Sequence, residues 1–288
     1  MSSDGVSSVH AATDQYAVIG NPIAQSKSPF IHGLFAQATD QPMQYHRILC
    51  EPVLFNQRVD QWVASGGKGL NITAPFKLDA FAYAHKLSDA ARLAGAVNAI
   101  KFIDGMAHAD NFDGVGLVHD VTHNLHCDLR GKRVLVLGSG GAARGALQPI
   151  LNAGPASVSI ACRKPENANA MVQAHRSLGN AHGHLKAIEY ARLNTDHFDI
   201  IFNATSASLF GQLPPIKSDL FSHCHLAYDL TYGKGLTPFL TMAKAMQVAQ
   251  LADGVGMLVE QAALAFDWWR GVRPDTKVVI AALTVPLV

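Results

Sequence analysis

Apolar and polar positions along this chain alternate between two rhythms. Short apolar runs stop at glycine, proline or asparagine, and stretches with the 3.6-residue period of a helix follow them. Residues 16–19 form the first run and end at Gly20-Asn21-Pro22, a strand leading into a turn. Ser28 before Pro29 predicts a helix start, with the serine hydroxyl as cap and proline at the first helical position. Phe30, Leu34 and Phe35 give that helix an apolar face. Residues 45–50 read as a second strand, 54–64 as a helix, and 69–73 as a third strand. Residues 78–94 are alanine-rich and read as one helix. Residues 99–103 and 106–109 flank Asp104-Gly105, a hairpin turn.

The same alternation resumes after Asp110-Asn111-Phe112-Asp113-Gly114, which marks a boundary. A helix over about 116–125 is expected to link two domains. Strands are predicted at 133–137, 157–161, 199–204 and 226–230. Thr237-Pro238 caps a helix expected to reach about residue 249, and Asp253-Gly254-Val255-Gly256 turns into a long apolar helix over 257–270 that carries Trp268 and Trp269. Pro149 lies inside the helix that ends near residue 152 and predicts a kink there. Strands alternating with helices imply an α/β architecture with mostly parallel sheets.

The run Val134-Leu-Val-Leu137 followed by Gly138-Ser-Gly-Gly-Ala-Ala143 is strand, tight turn, helix: the opening of a dinucleotide-binding unit. Gly138 permits the sharp turn, Gly140 leaves room for a pyrophosphate, and Ala143 keeps the helix close to the strand. Ser139, Gly141 and Ala142 complete the cradle, where uncapped N–H groups of the helix face the phosphates. NAD-binding units usually place an acid about 20 residues further on, to hold the ribose 2′-hydroxyl. Here the second strand ends Cys162-Arg163-Lys164. Two cations in that place suit a 2′-phosphate, which predicts NADP as cofactor.

Composition narrows the partners. With 288 residues, 49% of them hydrophobic and 16% charged, the chain can bury a sizeable core in one or two domains. A formal net charge of +1 gives no reason to expect nucleic acid. No apolar run is long enough to cross a bilayer. Residues 1–14 read as a polar tail rather than a secretory signal. Cys50, Cys127, Cys162 and Cys224 are scattered without a Cys-x-x-Cys, which fits a reducing, cytoplasmic setting. His182, His184, His223 and His225 lack partners at a zinc spacing, so no metal is expected.

Seven ordered strings make the chain resemble the shikimate dehydrogenase family from Tyr16 to about Gly271. They are Tyr-Ala-Val-Ile-Gly-Asn-Pro-Ile (16–23) with Ser-Lys-Ser-Pro (26–29); Asn-Ile-Thr-Ala-Pro-Phe-Lys (71–77); Ala-Gly-Ala-Val-Asn-Ala (94–99); Asp-Asn-Phe-Asp-Gly (110–114); Gly-Ser-Gly-Gly-Ala-Ala-Arg (138–144); Asn-Ala-Thr-Ser (203–206); and Asp-Gly-Val-Gly-Met-Leu-Val-Glu-Gln-Ala (253–262). The resemblance implies reversible reduction of 3-dehydroshikimate to shikimate with NADPH, a step of aromatic amino-acid biosynthesis. It implies Lys77 and Asp113 as the catalytic pair, Lys77 exchanging the proton at the C3 oxygen and Asp113 orienting it. Ser26 and Ser28 would hold the carboxylate, with Thr73 and Tyr232 near the same end. Asn71, Asn98 and Gln261 would meet ring hydroxyls beside Asp113. Thr205, Leu230 and Gly254 are taken with the cofactor.

The implied architecture has a substrate domain over residues 15–113, onto which the C-terminal segment 256–288 packs back, and a Rossmann-like NADP domain over 114–255. The active site is expected in the cleft between them. The expected state is a cytoplasmic monomer or homodimer with neither nucleic acid nor membrane as partner. Two departures from the family pattern stand out. Phe112 replaces a threonine, which matters if its ring enters the cleft and not if it faces the core. Many NADP-using relatives read Asn-Arg-Thr with a further arginine nearby, whereas this chain has Cys162, Arg163 and Lys164, with Asn167 near the place of that arginine. A broader quinate/shikimate dehydrogenase using NAD would favour an acid after the second strand. A ligand sensor on this scaffold would lack Lys77 or Asp113, and both are present. A dehydrogenase of folate-type substrates finds no support in Ser26, Ser28 and Asn71.

Overall fold

The computed structural model describes residues 13–177, 184–233 and 235–287. Most of the expected tail, and His182, lie outside them. Two six-stranded sheets organise these residues. The first is built from β1 (Asp14–Gly20), β2 (Met43–Leu49), β3 (Gly67–Ile72), β4 (Lys86–Leu87), β5 (Ala99–Ile103) and β6 (Met106–Asp110), in the order β2-β1-β3-β5-β6-β4. β2, β1 and β3 run parallel, β5 is antiparallel to β3 and β6, and β4 pairs parallel with β6. Helices α1 (Ser28–Ala38), α2 (Phe55–Ala64), α3 (Lys77–Tyr83) and α4 (Asp89–Ala94) accompany it.

The second sheet is parallel throughout: β7 (Arg133–Leu137), β8 (Ser157–Ala161), β9 (Leu185–Ala187), β10 (Ile200–Asn203), β11 (Leu226–Asp229) and β12 (Gln250–Asp253), in the order β12-β11-β10-β7-β8-β9. This is the doubly wound dinucleotide-binding topology, with the switch point between β7 and β10. Burial on both faces explains why its strands read as continuous apolar runs. Along β7, Val134 and Val136 enter one core while Leu135 and Leu137 enter the other. Helices α6 (Gly141–Asn152), α7 (Pro165–Ser177) and α8 (Pro238–Ala245) belong to this half.

Two helices join the halves. α5 (Asp113–His119) continues as one π-helical turn, Asp120–Asn124, and packs along α9 (Val255–Arg270). Glycines set how closely these helices approach. A Cβ on Gly116 would lie 2.7 Å from the Gln261 nitrogen, and one on Gly256 would collide with the carboxylate of Asp120. α6 is continuous through Pro149, which leaves the Gly145 carbonyl without its helical donor. α5 packs against that carbonyl, where a Cβ on Gly114 would collide with its oxygen. α9 turns back onto the first half, where Val259, Ala262, Ala263 and Phe266 pack with Ile31 and Phe35 of α1 and Val279 of α10 (Lys277–Leu283).

Three sequence expectations need correction. Residues 78–94 are not one helix: α3 stops at Tyr83, and His85 and Ser88 bond backbone to Ala107 and Ala109. Ser88 then caps α4 by accepting from the Ala91 N–H at 3.0 Å. Sheet pairing overrides the alanine-rich propensity. The helix after Thr237 ends at Ala245 instead of 249, because Gln247 takes a left-handed φ of 58° and residues 250–253 join β11 as an edge strand. Thr237 does cap α8, accepting from Leu240 N. Ser28 is not a hydroxyl cap. It stands inside α1, and its own N–H donates to the Ser26 hydroxyl at 3.3 Å.

Candidate active site

The cleft holds two connected spaces. The smaller, about 210 Å³, is lined by the ends of β1 and β3, the start of α1 and α3, and the start of α5 and α9. Every residue assigned to substrate or catalysis lines it: Ser26, Ser28, Asn71, Thr73, Lys77, Asn98, Asp113, Tyr232 and Gln261. These positions span more than 230 residues of chain. The fold delivers them to one place: Ser28, Lys77 and Asp113 open helices, Asn71 and Thr73 stand at the end of β3, and Gln261 reaches in from the body of α9.

The charges form a framed pair. Lys77 Nζ donates to Asp113 Oδ2 at 2.5 Å. Asn98 Nδ2 donates to Asp113 Oδ1 at 2.8 Å and to Gln261 Oε1 at 3.2 Å, while its own Oδ1 accepts from Phe112 N. Both amide hydrogens of Asn98 are therefore engaged by protein, which makes it a frame for Asp113 more than a donor to ligand. The start of α5 is held in turn by Asn111, whose Oδ1 accepts from Asp113 N and whose Nδ2 donates to Ala96 O. The Lys77 side chain keeps 30% of its surface exposed against 10% for Asp113, and it lines the cavity. At the other end, the Ser26 and Ser28 hydroxyls lie 3.3 Å apart, and Arg47 clamps the Ser26 carbonyl at 2.7 Å. Desolvation raises the pKa of Tyr232 above the usual phenol value.

The larger space is a groove of about 1000 Å³ along the C-terminal edge of the second sheet. Gly138, Ser139, Gly140, Gly141, Ala142, Arg163, Lys164, Thr205 and Leu230 line it. Gly138 has φ of +116°, and a Cβ there would lie 2.8 Å from the Ala204 carbonyl. A Cβ on Gly140 or Gly141 would meet open space, and α6 has no side-chain cap, so its first N–H groups are free for an anion. Arg163 and Lys164 are exposed beside it. A dinucleotide with a 2′-phosphate fits this donor set. Ala143 is fully buried beneath the turn and lines neither space. Gly254 lines the smaller cavity, and a Cβ on it would collide with the Leu230 carbonyl. Ala142, Leu230 and Tyr232 border both spaces and join them.

Family models match residues 18–100 (shikimate dehydrogenase substrate binding domain), 120–211 (shikimate/quinate 5-dehydrogenase) and 254–284 (shikimate 5′-dehydrogenase C-terminal domain). A shikimate dehydrogenase (NADP(+)) from Chromobacterium violaceum is 52% identical over 92% of this chain and 96% of its own. The chain belongs to the shikimate dehydrogenase family. An Ael1 enzyme from Pseudomonas putida is 54% identical with a TM-score of 0.91, covering 96% of this chain and 100% of that one. Shikimate 5-dehydrogenase from Thermus thermophilus, solved in complex with NADP(H) and shikimate, is 28% identical with a TM-score of 0.83, covering 94% and 98%.

Within this family frame, Phe112 is resolved: its ring packs edge-on to Trp268 at 5.6 Å and does not line the cavity. Sequence reasoning missed the apolar lining, Val18, Ile23, Ile72, Met257 and Leu258, and the polar Gln25. Val18 and Ile72 read as ordinary strand residues, and Met257 and Leu258 as ordinary helix residues. Tyr190 at the cofactor groove carries no sequence signal, because it sits in an irregular 3₁₀ segment. His223 and His225 are exposed, and among the described residues no group of three potential metal ligands occurs. No helix among them is long and apolar enough to cross a membrane. The four cysteines are buried free thiols.

Proposed function

We propose that this chain catalyses the reversible NADP(H)-dependent interconversion of 3-dehydroshikimate and shikimate, with Lys77 and Asp113 at the reacting oxygen. The observation that carries the reading is the junction of the small polar cavity with the phosphate-binding groove at Ala142, Leu230 and Tyr232. When bound, NADP(H) supplies or accepts the hydride. Reduction turns the ring carbonyl into a developing alkoxide, and the Lys77 ammonium donates the proton it needs. In oxidation the lysine takes that proton back. The carboxylate of Asp113 holds the ammonium in place through Oδ2 and is itself held by Asn98 through Oδ1. Before proton transfer, the same positive charge stabilises the oxyanion.

Ser26 and Ser28 receive the carboxylate, and Thr73 and Tyr232 close that end. A small acid with ring hydroxyls suits a site of this volume and polarity. The apolar walls from Val18, Ile23, Ile72 and Met257 limit water at the reacting carbon. The residues before α5, with α9 and α10 returned onto them, act as the substrate domain, and the second sheet carries the cofactor. The buried thiols suit a reducing cytoplasm. We place the enzyme there as a monomer or homodimer. Steady-state oxidation of shikimate and of quinate, each with NADP and NAD, tests the reading. Shikimate with NADP is expected to give the highest kcat/KM, and absence of turnover of either acid with either cofactor would sink it.

A further inference from the structure

Behind the cavity wall, away from the reacting pair, three side chains meet at one atom. Asn71 Oδ1 lies 2.6 Å from the Tyr45 hydroxyl and 3.0 Å from His32 Nε2. Its Nδ2 lies 3.3 Å from the backbone carbonyl of Asn98. A carbonyl can only accept, so the nitrogen side of the amide must face Asn98 and the oxygen side must face Tyr45 and His32. Tyr45 then donates its hydroxyl proton, and His32 must carry its proton on Nε2. Desolvation lowers the His32 pKa to about 3, so the ring is neutral and that single proton is the only one it has to give.

Counting valences gives the consequence. Both lone pairs of Asn71 Oδ1 are occupied, and one of its two N–H bonds serves Asn98. What Asn71 keeps for a ligand in the cavity is one N–H. We infer that His32 and Tyr45 are positioning residues that lock Asn71 as a donor-only contact, so that the substrate hydroxyl it meets must accept from Asn71. The inference rests on the functional reading above for the identity of that substrate. It extends that reading by giving the contact a polarity and by naming two residues, outside the cavity lining, that set it.

The packing around His32 argues that this ring is kept for the amide. It is fully buried, stacked on Tyr45 at 4.3 Å, and ringed by Phe35, Phe266 and Trp269. Its Nδ1 is buried and finds no hydrogen-bond partner among the described residues. Leaving such an atom unpaired is unfavourable. Phenylalanine would fill the same aromatic slot without an unpaired nitrogen, at the loss only of the Nε2 donor.

The test uses Tyr45→Phe, His32→Phe and the double variant of the whole chain, with shikimate binding measured calorimetrically beside steady-state kinetics. Each single variant is expected to weaken shikimate binding roughly three- to tenfold, the worth of one hydrogen bond, raising KM more than it lowers kcat. His32→Phe should melt at the same temperature as the parent or higher, which a purely structural histidine would not allow. Among shikimate analogues each lacking one ring hydroxyl, one should bind parent and double variant alike, because its missing group is the partner of Asn71. Unchanged affinity in both single variants, or an equal loss for shikimate and every analogue, would overturn the inference. A readout without ligand separates it from the functional reading: the Asn71 side-chain amide should give one sharp pair of NMR resonances in the parent and a broadened pair in the double variant. A parent that shows the sharp pair but binds no shikimate would refute the functional reading and leave the lock standing. An identical amide signature in parent and double variant would remove the lock.

Discussion

Lys77→Ala is expected to lower kcat by roughly 10²–10⁴-fold, the range that a positioned general acid–base contributes, with little change in fold. The lysine opens α3 with 30% of its side chain exposed, and its ammonium donates to Asp113. Removing it takes away the proton donor and the positive charge nearest the developing oxyanion, but buries no new polar group. Asp113 keeps the Asn98 amide at 2.8 Å, so its carboxylate is not left bare. Pre-steady-state reduction with a circular-dichroism check of fold makes the measurement. A near-normal rate would remove Lys77 from the chemistry. The loss should appear in kcat, because the residue acts on the transition state more than on the ground-state complex.

The second large effect concerns the cofactor. Replacing both Arg163 and Lys164 by alanine should raise KM for NADP by about 100-fold or more, taking each lost charge-assisted hydrogen bond at about 1.5–3 kcal/mol and tenfold per about 1.4 kcal/mol. KM for NAD, which lacks the 2′-phosphate, should change by less than about threefold on the same reasoning. Both side chains are exposed at the lip of the groove, so their loss should not disturb the second sheet. Equal effects on the two cofactors would undo the assignment of this lip to the phosphate. The NADP effect should shrink at high ionic strength, since exposed charges are screened.

How far the site was readable follows from where its residues stand. Lys77, Asp113 and Ser28 are short-range marks: each lies in a string that ends a strand or opens a helix, and the ends of parallel strands are where such cavities form. The glycine turn was readable for the same reason, since φ of +116° at Gly138 is a local demand. The break at Ser88 and the edge strand 250–253 were not readable. Their residues favour helix locally, and only pairing with β6 and β11, partners more than 18 residues away, outweighs that preference.

The chain alone determined the α/β alternation, the phosphate turn, the cations after β8 and the motif residues Ser26, Ser28, Lys77 and Asp113, because each rests on local backbone geometry or on a contiguous string. Tertiary structure decided the rest. It turned the Phe112 ring onto Trp268, joined cavity and groove at Ala142, Leu230 and Tyr232, engaged both amide hydrogens of Asn98 within the protein, and set the polarity of Asn71 from Tyr45 and His32. For Phe112, Asn98 and Asn71 the physical reason is the same. An amide or a ring has no preferred orientation of its own, and takes one only from neighbours that the folded chain brings to it.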